Sequence, residues 1–293
     1  MKAFSLVVLL LLAGCQSVPP LMPWQSPEGR DHPDLGRIID LRTGETLSAQ
    51  RLVSALAGAD HVLVGERHDN PDHHRLQRWL LEALAQRRAQ GSVLLEMLNP
   101  DQQASVARVQ ASVRRGAWPE DLPAALRWQP GWDWQLYAPV VEYSLAQPYP
   151  VLSANLDRSE IQAIYRDPPR LSGPAAAASV QRALLAQIRL SHCNKLPETQ
   201  LPAMLAVQQQ RDHRIAGRLQ AAPTPALVFA GAFHVRRDLG VPLHMADAVR
   251  HGALVLMLAE VGEDIRAEQA DFVWYTPGQT RQDLCATLGQ NGK

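Results

Sequence analysis

His61-Val62-Leu63-Val64-Gly65-Glu66-Arg67-His68-Asp69-Asn70-Pro71-Asp72-His73-His74 is the stretch that decides the fold. Its first four residues are apolar and mostly β-branched or leucine, which reads as a buried strand. Gly65 is expected to end that strand. A carboxylate, an imidazole and a second carboxylate follow at Glu66, His68 and Asp69. Asn70 then Pro71 is the pattern of a helix N-cap and its first residue. Leu76, Trp79, Leu80 and Leu84 recur at helical spacing beyond it. The unit is strand, polar turn, helix. Open α/β sheets place ligands at the carboxyl end of such strands, and a helix N-terminus there adds backbone donors.

Working outward, the same pattern repeats. Further apolar runs lie at 92–97, 150–156, 226–231 and 253–258, with 272–275 expected as a last, edge strand. A small hairpin is expected at 37–44, and helices at 48–56, 101–115 and 133–145. Residues 160–222 are rich in Ala, Gln and Leu without a strand-like run, and read as a helical lobe inserted into or covering the sheet. Strands alternating with helices imply an α/β fold, a mostly parallel central sheet covered by helices.

The N-terminus has its own logic. Met1-Lys2 precedes an apolar run from Phe4 to Leu12, too short to span a bilayer. Leu12-Ala13-Gly14-Cys15 resembles a bacterial lipobox, so residues 1–14 are expected to be a signal peptide and Cys15 a lipidated residue. Multiple acyl chains give a durable anchor where one gives marginal binding. Gln16 rather than Asp follows, which favours an outer-membrane, periplasm-facing location. Residues 15–34 read as a proline-rich tether, 35–280 as the folded body and 281–293 as a tail. Formal net charge is zero, with 29 basic and 29 acidic residues, so no basic balance argues for nucleic acid. Cys193 and Cys285 either pair in an oxidising compartment or stay separate thiols.

Parallel strands would gather their terminal residues along one edge: Glu66 and His68, then Glu96, then Asn155 and Arg158, then His234. That convergence is the argument for a site. Glu66, His68, Glu96 and His234 could hold a divalent metal with an open position, or act as a metal-free acid–base set. Tyr137 lies among Trp128, Trp132 and Trp134, either as aromatic core or as a haem ligand with indole walls. His192 caps a helix or reaches a ligand, and Gln208, Arg211 and Asp212 line a pocket or form a solvated face.

The chain resembles the ChaN family of haem-binding lipoproteins, within the Tiki/TraB/erythromycin-esterase-like superfamily. The resemblance rests on Val64 to Pro71 with His74, Leu95-Glu96-Met97, Trp134 to Pro139, Asn155-Leu156 with Arg158, His192-Cys193 with Leu196-Pro197, Gln208 to Asp212, and Gly231 to His234. It spans roughly Leu35 to Trp274; Arg67 departs from the usual pattern. It implies a lipid-anchored protein of an outer-membrane haem or iron uptake system, without catalysis. It implies haem stacked in pairs between two subunits of a homodimer, with a tyrosine on iron and histidine on propionates. Tyr137 is then the expected iron ligand. His68, His73, His74, Arg158, His192 and His234 are the expected cofactor-binding residues. The superfamily's metal-dependent hydrolases imply an alternative, a divalent metal at Glu66, His68, Glu96 and His234 in a periplasmic hydrolase.

Overall fold

The structure is a computed structural model, and residues 18–280 and 285 are described in it. The signal and lipidation motif at 1–17 and most of the tail lie outside the described residues.

Eight strands form one sheet. In chain order they are β1 (Ile38–Asp40), β2 (Glu45–Leu47), β3 (His61–Glu66), β4 (Ser92–Leu95), β5 (Val151–Ser153), β6 (Ala226–Gly231), β7 (Leu254–Glu260) and β8 (Phe272–Thr276). Their order across the sheet is β2-β1-β8-β7-β3-β6-β4-β5, and all pairs are parallel except those made by β1. β3 therefore sits centrally, between β6 and β7.

Gly65 does not end β3. It pairs with Ala230 on one side and Met257 on the other, and the strand runs on to Glu66. The glycine serves a close approach: a Cβ there would lie 2.4 Å from Val235 Cγ2 and 3.1 Å from Ala232 Cα. Nor is β8 an edge. Trp274 pairs with Leu258 in β7 and with Ile38 in β1, so the hairpin supplies the edge instead. The terminal strand, β2, is three residues long and carries exposed Glu45 and Thr46. A short polar strand suits an edge that must not recruit further strands.

Alternation along the strands builds two cores. Val62 and Val64 face one side with Trp79, Leu80, Leu95, Phe229 and Trp274, in a core shared by α1 (Ala49–Ala57), α2 (Pro71–Ala85), α3 (Gln103–Val113), α4 (Leu122–Leu126) and α5 (Trp134–Leu145). Leu63 and Leu94 face the other with Val228, Val255, Ile215 and Leu219, the last two from α8 (Leu201–Ala221). The expected helical lobe at 160–222 is thus divided, and the second half of α8 covers the sheet. What remains is α6 (Arg158–Arg166), α7 (Ala178–Ser191) and the start of α8. Leu184, Ile188, Leu201, Leu205 and Leu239 form a separate small core there.

The helix starts follow the sequence signals. Asn70 accepts from the backbone N–H groups of Asp72 and His73, with Pro71 at the first helical position. Asp133 caps α5 through Gln135 N–H. Cys193 and Cys285 form a disulfide with Cα atoms 5.5 Å apart, resolving the two sequence alternatives.

The proline-rich stretch expected as a tether is laid against the body. Trp79 Nε1 donates to Pro19 O at 2.8 Å, and the N–H groups of Gln25 and Ser26 donate to the two oxygens of buried Asp72, each at 2.8 Å. Glu28 pairs with Gly278 as an isolated bridge. Among the described residues no helix is long and apolar enough to cross a membrane.

Candidate functional site

The carboxyl ends of β3, β4 and β6 bring two histidine–carboxylate sets to one place. β3 ends on Glu66, whose side chain is buried. Its Oε1 lies 2.6 Å from His68 Nδ1 and accepts from the Tyr137 hydroxyl at 3.2 Å; that hydroxyl is also 3.2 Å from His68 Nδ1. Burial opposes the imidazolium form of His68, but the Glu66 hydrogen bond and charge outweigh it and hold the pKa above the usual range. Burial, then the charges of Glu66 and Glu96, push the Tyr137 phenol far upward, so it remains a neutral donor.

The second set follows β4 and β6. Glu96 Oε2 accepts from Gly231 N–H at 2.8 Å, and Oε1 lies 3.2 Å from His234 Nε2. His234 Nδ1 is 2.5 Å from Asp212 Oδ1 on α8. Burial alone would deprotonate His234; Glu96 and Asp212 on its two nitrogens instead raise its pKa to about 10. Burial works the opposite way on Glu96, and the His234 cation holds that carboxyl well below the usual range. Asn155 Nδ2 donates to Glu96 O at 2.8 Å, and Asn155 Oδ1 accepts from Arg211 Nε at 2.9 Å.

Gly231 is where the two sets meet. A Cβ on it would fall 2.8 Å from His68 Cε1, 2.9 Å from His68 Nε2 and 3.6 Å from Glu96 Oε2. Only the missing side chain lets His68 lie over this strand end.

A cleft of 830 Å³ opens from this floor, with Glu66, His68, Gly231 and His234 at its base and Phe233 and Arg236 along its side. A neighbouring hollow of 1080 Å³ shares Arg67, Gln187, Ser191, Phe233 and Arg236 and adds Leu190. Leu190 is 70% exposed and Phe233 42%, an apolar pair left facing water. Arg67 lies 3.1 Å from Glu260 and 3.2 Å from Glu263, and Arg236 is 2.6 Å from Asp238. Three buried acceptors in this region, Glu66 Oε2, Gln187 Oε1 and Asp212 Oδ2, have no hydrogen-bond partner.

Not every expected residue reaches the cleft. Tyr137 is 1% exposed and belongs to the core under α2 and α5, its ring 4.2 Å from that of His74. As placed, its phenol faces Glu66 and not an open space, which argues against the expected bond to iron. His73 is sealed: Nδ1 accepts from Arg67 N–H at 2.9 Å and Nε2 meets Thr276 Oγ1 at 2.9 Å. Burial drives its pKa well down, so it is neutral and fixes the turn. His74 is buried too, with Nε2 3.1 Å from His68 O. His192 turns Nδ1 back onto Ile188 O at 2.8 Å, capping α7. Arg158 opens α6 and is exposed. His68 and His234 line the cleft.

The divalent-metal alternative does not fit. Among the described residues no group of three or more His, Cys, Asp or Glu could hold a metal ion. The physical reason is that His234 is held as a cation between Glu96 and Asp212, with both ring nitrogens engaged, and offers no lone pair to a metal.

Sequence reasoning missed Leu190, Phe233, Arg236 and Gln187 as lining residues. Phe233 had a signal, standing beside His234 just after a buried strand. The α7 residues had none, since only tertiary packing brings them over the sheet edge.

The chain is similar to several solved structures. A solved structure described as cofacial heme binding to ChaN of Campylobacter jejuni superposes with a TM-score of 0.76 at 28% identity, over 87% of this chain and 100% of that one. An erythromycin esterase captured in its open conformation matches at a TM-score of 0.45 and 11% identity, over 83% of this chain and 82% of that one. An effector domain of a toxin from Vibrio vulnificus gives 0.43 and 14%, over 79% of this chain and 38% of that one. No match is found among curated proteins. The family described as haem-binding uptake, Tiki superfamily, ChaN, matches residues 52–245 of 293. The chain belongs to the ChaN family of haem-binding uptake proteins in the Tiki superfamily.

Proposed function

We propose that this protein binds haem in the cleft at the carboxyl edge of the sheet and serves bacterial haem or iron uptake. The observation that carries the reading is the lining. Phe233 in the cleft and Leu190 in the adjoining hollow stand exposed where a flat apolar ring would cover them, and burying such side chains is favourable. Arg67, Arg236 and the raised-pKa imidazole of His68 stand beside them, and suit the carboxylates of the ring. Haem bound there would supply a ferric iron. The chain's own part is to bury the ring, hold its carboxylates and limit water.

A phenolate on iron, as the family resemblance implies, falls to Tyr165 in this reading. Tyr137 is 1% exposed, whereas Tyr165 on α6 is 38% exposed and its side chain is open to solvent. A second copy of the chain meeting this one over Leu190 and Phe233 would shield them and give room for paired haems.

The anchor and address remain part of the same proposal: lipidation at Cys15, attachment to the outer membrane, and a body facing the periplasm. The Cys193–Cys285 disulfide supports an oxidising compartment. Hemin titration of the purified chain tests the function. A saturable Soret band is expected; its absence at every hemin concentration would overturn the reading.

A further inference from the structure

Leu190 and Ser191 end α7 and line one side of the hollow that adjoins the cleft, while Gln279 and Thr280 line it from the C-terminal segment; Gln187 and Ser191 line the cleft as well. The two sides are held very differently. Gln279 is tied to the sheet: its N–H donates to Glu260 Oε1 at 3.0 Å and its Nε2 to Ser26 Oγ at 2.9 Å. α7 is held lightly, with only Leu184 and Ile188 of its 14 residues buried. The chain leaves α7 through Cys193 and Asn194 at φ 59° and 56°. Left-handed backbone is disfavoured for residues with a Cβ. Here it is fixed by Cys193 N–H to Leu190 O at 3.0 Å and Asn194 N–H to Arg189 O at 2.8 Å. That reversal carries Cys193 to Cys285, and Lys195 Nζ adds a bond to Cys285 O at 2.6 Å. Cys193 lies two residues beyond the Ser191 side, and Cys285 five beyond the Thr280 side.

We propose that the Cys193–Cys285 pair positions the haem site, by tying the loosely packed α7 wall to the C-terminal segment that is anchored in the sheet. It acts through Gln187, Leu190 and Ser191 and touches no ligand itself. This rests on the haem reading, and its test is chosen so that the two can fail separately. An open, mobile wall costs affinity because binding must then order it.

The test compares the full chain with Cys193→Ser, Cys285→Ser and the double variant. Hydrogen exchange of the haem-free proteins at residues 184–191 is read first. We expect exchange there to quicken about tenfold or more in all three variants, with the strands of the sheet unchanged. Hemin dissociation constants are read second and should rise by a similar factor, with a broadened Soret band. Phosphine reduction of the folded oxidised protein gives the same comparison if a variant fails to fold, and reoxidation should restore the original exchange. Unchanged exchange, or faster exchange with unchanged affinity, overturns the proposal. If no protein binds hemin at all, the haem reading fails, and this proposal falls with it; the exchange data still report whether the disulfide holds α7.

Discussion

His68 Nδ1 lies 2.6 Å from Glu66 Oε1, and that contact fixes the imidazole. Nδ1 is committed to the carboxylate, which leaves Nε2 beside Gly231 at the base of the cleft. Replacing Glu66 with Gln should therefore lower the His68 pKa, measurable by NMR titration. In the proposed site the His68 cation would hold haem carboxylates, so hemin affinity in the parent protein should fall as pH rises through the raised His68 pKa. In Glu66→Gln the same fall should come at lower pH, with affinity near neutrality reduced roughly tenfold. An unshifted pH profile would detach His68 from binding.

His234 makes a prediction about stability. Its pKa is raised to about 10 between Glu96 and Asp212, against 6.5 for an ordinary histidine. A group raised on folding contributes fully below its unfolded pKa and loses that contribution as pH rises through the folded value. This contribution should thus be greatest below about pH 6.5 and fall progressively, lowering thermal midpoints, as pH climbs to about 10. In His234→Gln that alkaline drop should be smaller, on a lower baseline, because removing one partner strands buried carboxylates at a cost of about 3–5 kcal/mol. Melting curves across the alkaline range check both.

Gly231→Ala should displace His68 while meeting Glu96 Oε2 only at an ordinary van der Waals distance of 3.6 Å. The new methyl would lie 2.8 Å from His68 Cε1. Overpacking of this kind costs about 1–3 kcal/mol. The half-exposed imidazole is the group free to move, so its NMR signal and its pKa should change more than global stability does. A variant with an unaltered His68 signal would contradict the close packing.

The two tyrosines separate a structural role from an iron ligand. Tyr137→Phe removes one donor from buried Glu66 and should cost about 0.5–1.5 kcal/mol, with the ferric charge-transfer bands unchanged. Tyr165→Phe should leave stability alone and shift those bands. Visible spectra of the hemin-loaded variants decide; bands lost in Tyr137→Phe alone would reverse the assignment.

Much of this was legible in the chain. The strand-turn-helix unit at 61–85 was, because a buried parallel strand and an Asn-Pro helix start each leave a local signature. So was the convergence of Glu66, His68, Glu96 and His234, which follows once the strands are parallel. The extension of β3 through Gly65 was not, since the glycine answers to Val235 and Ala232, far along the chain. The inner position of β8 depends on the hairpin adding beyond it, which no residue in 272–276 announces. Tyr137 and the paired histidines at 73 and 74 carry the right chemistry, but burial assigns them to the frame. The segment from Pro19 to Glu28 lacks periodicity, yet its backbone donors find Asp72 and its carbonyls find Trp79 and Arg75.

The measurement that bears most directly on the central claim is an equilibrium hemin titration of the parent protein beside Leu190→Glu/Phe233→Glu. Phe233 is exposed at the cleft and Leu190 at the hollow that adjoins it, so the double variant should fold and melt as the parent does. The account predicts saturable binding in the parent and a loss of at least about tenfold in the variant, as two buried apolar contacts are replaced by charge. Equal affinity in the two proteins would show that haem, if bound, lies elsewhere, and would contradict the cleft as its site.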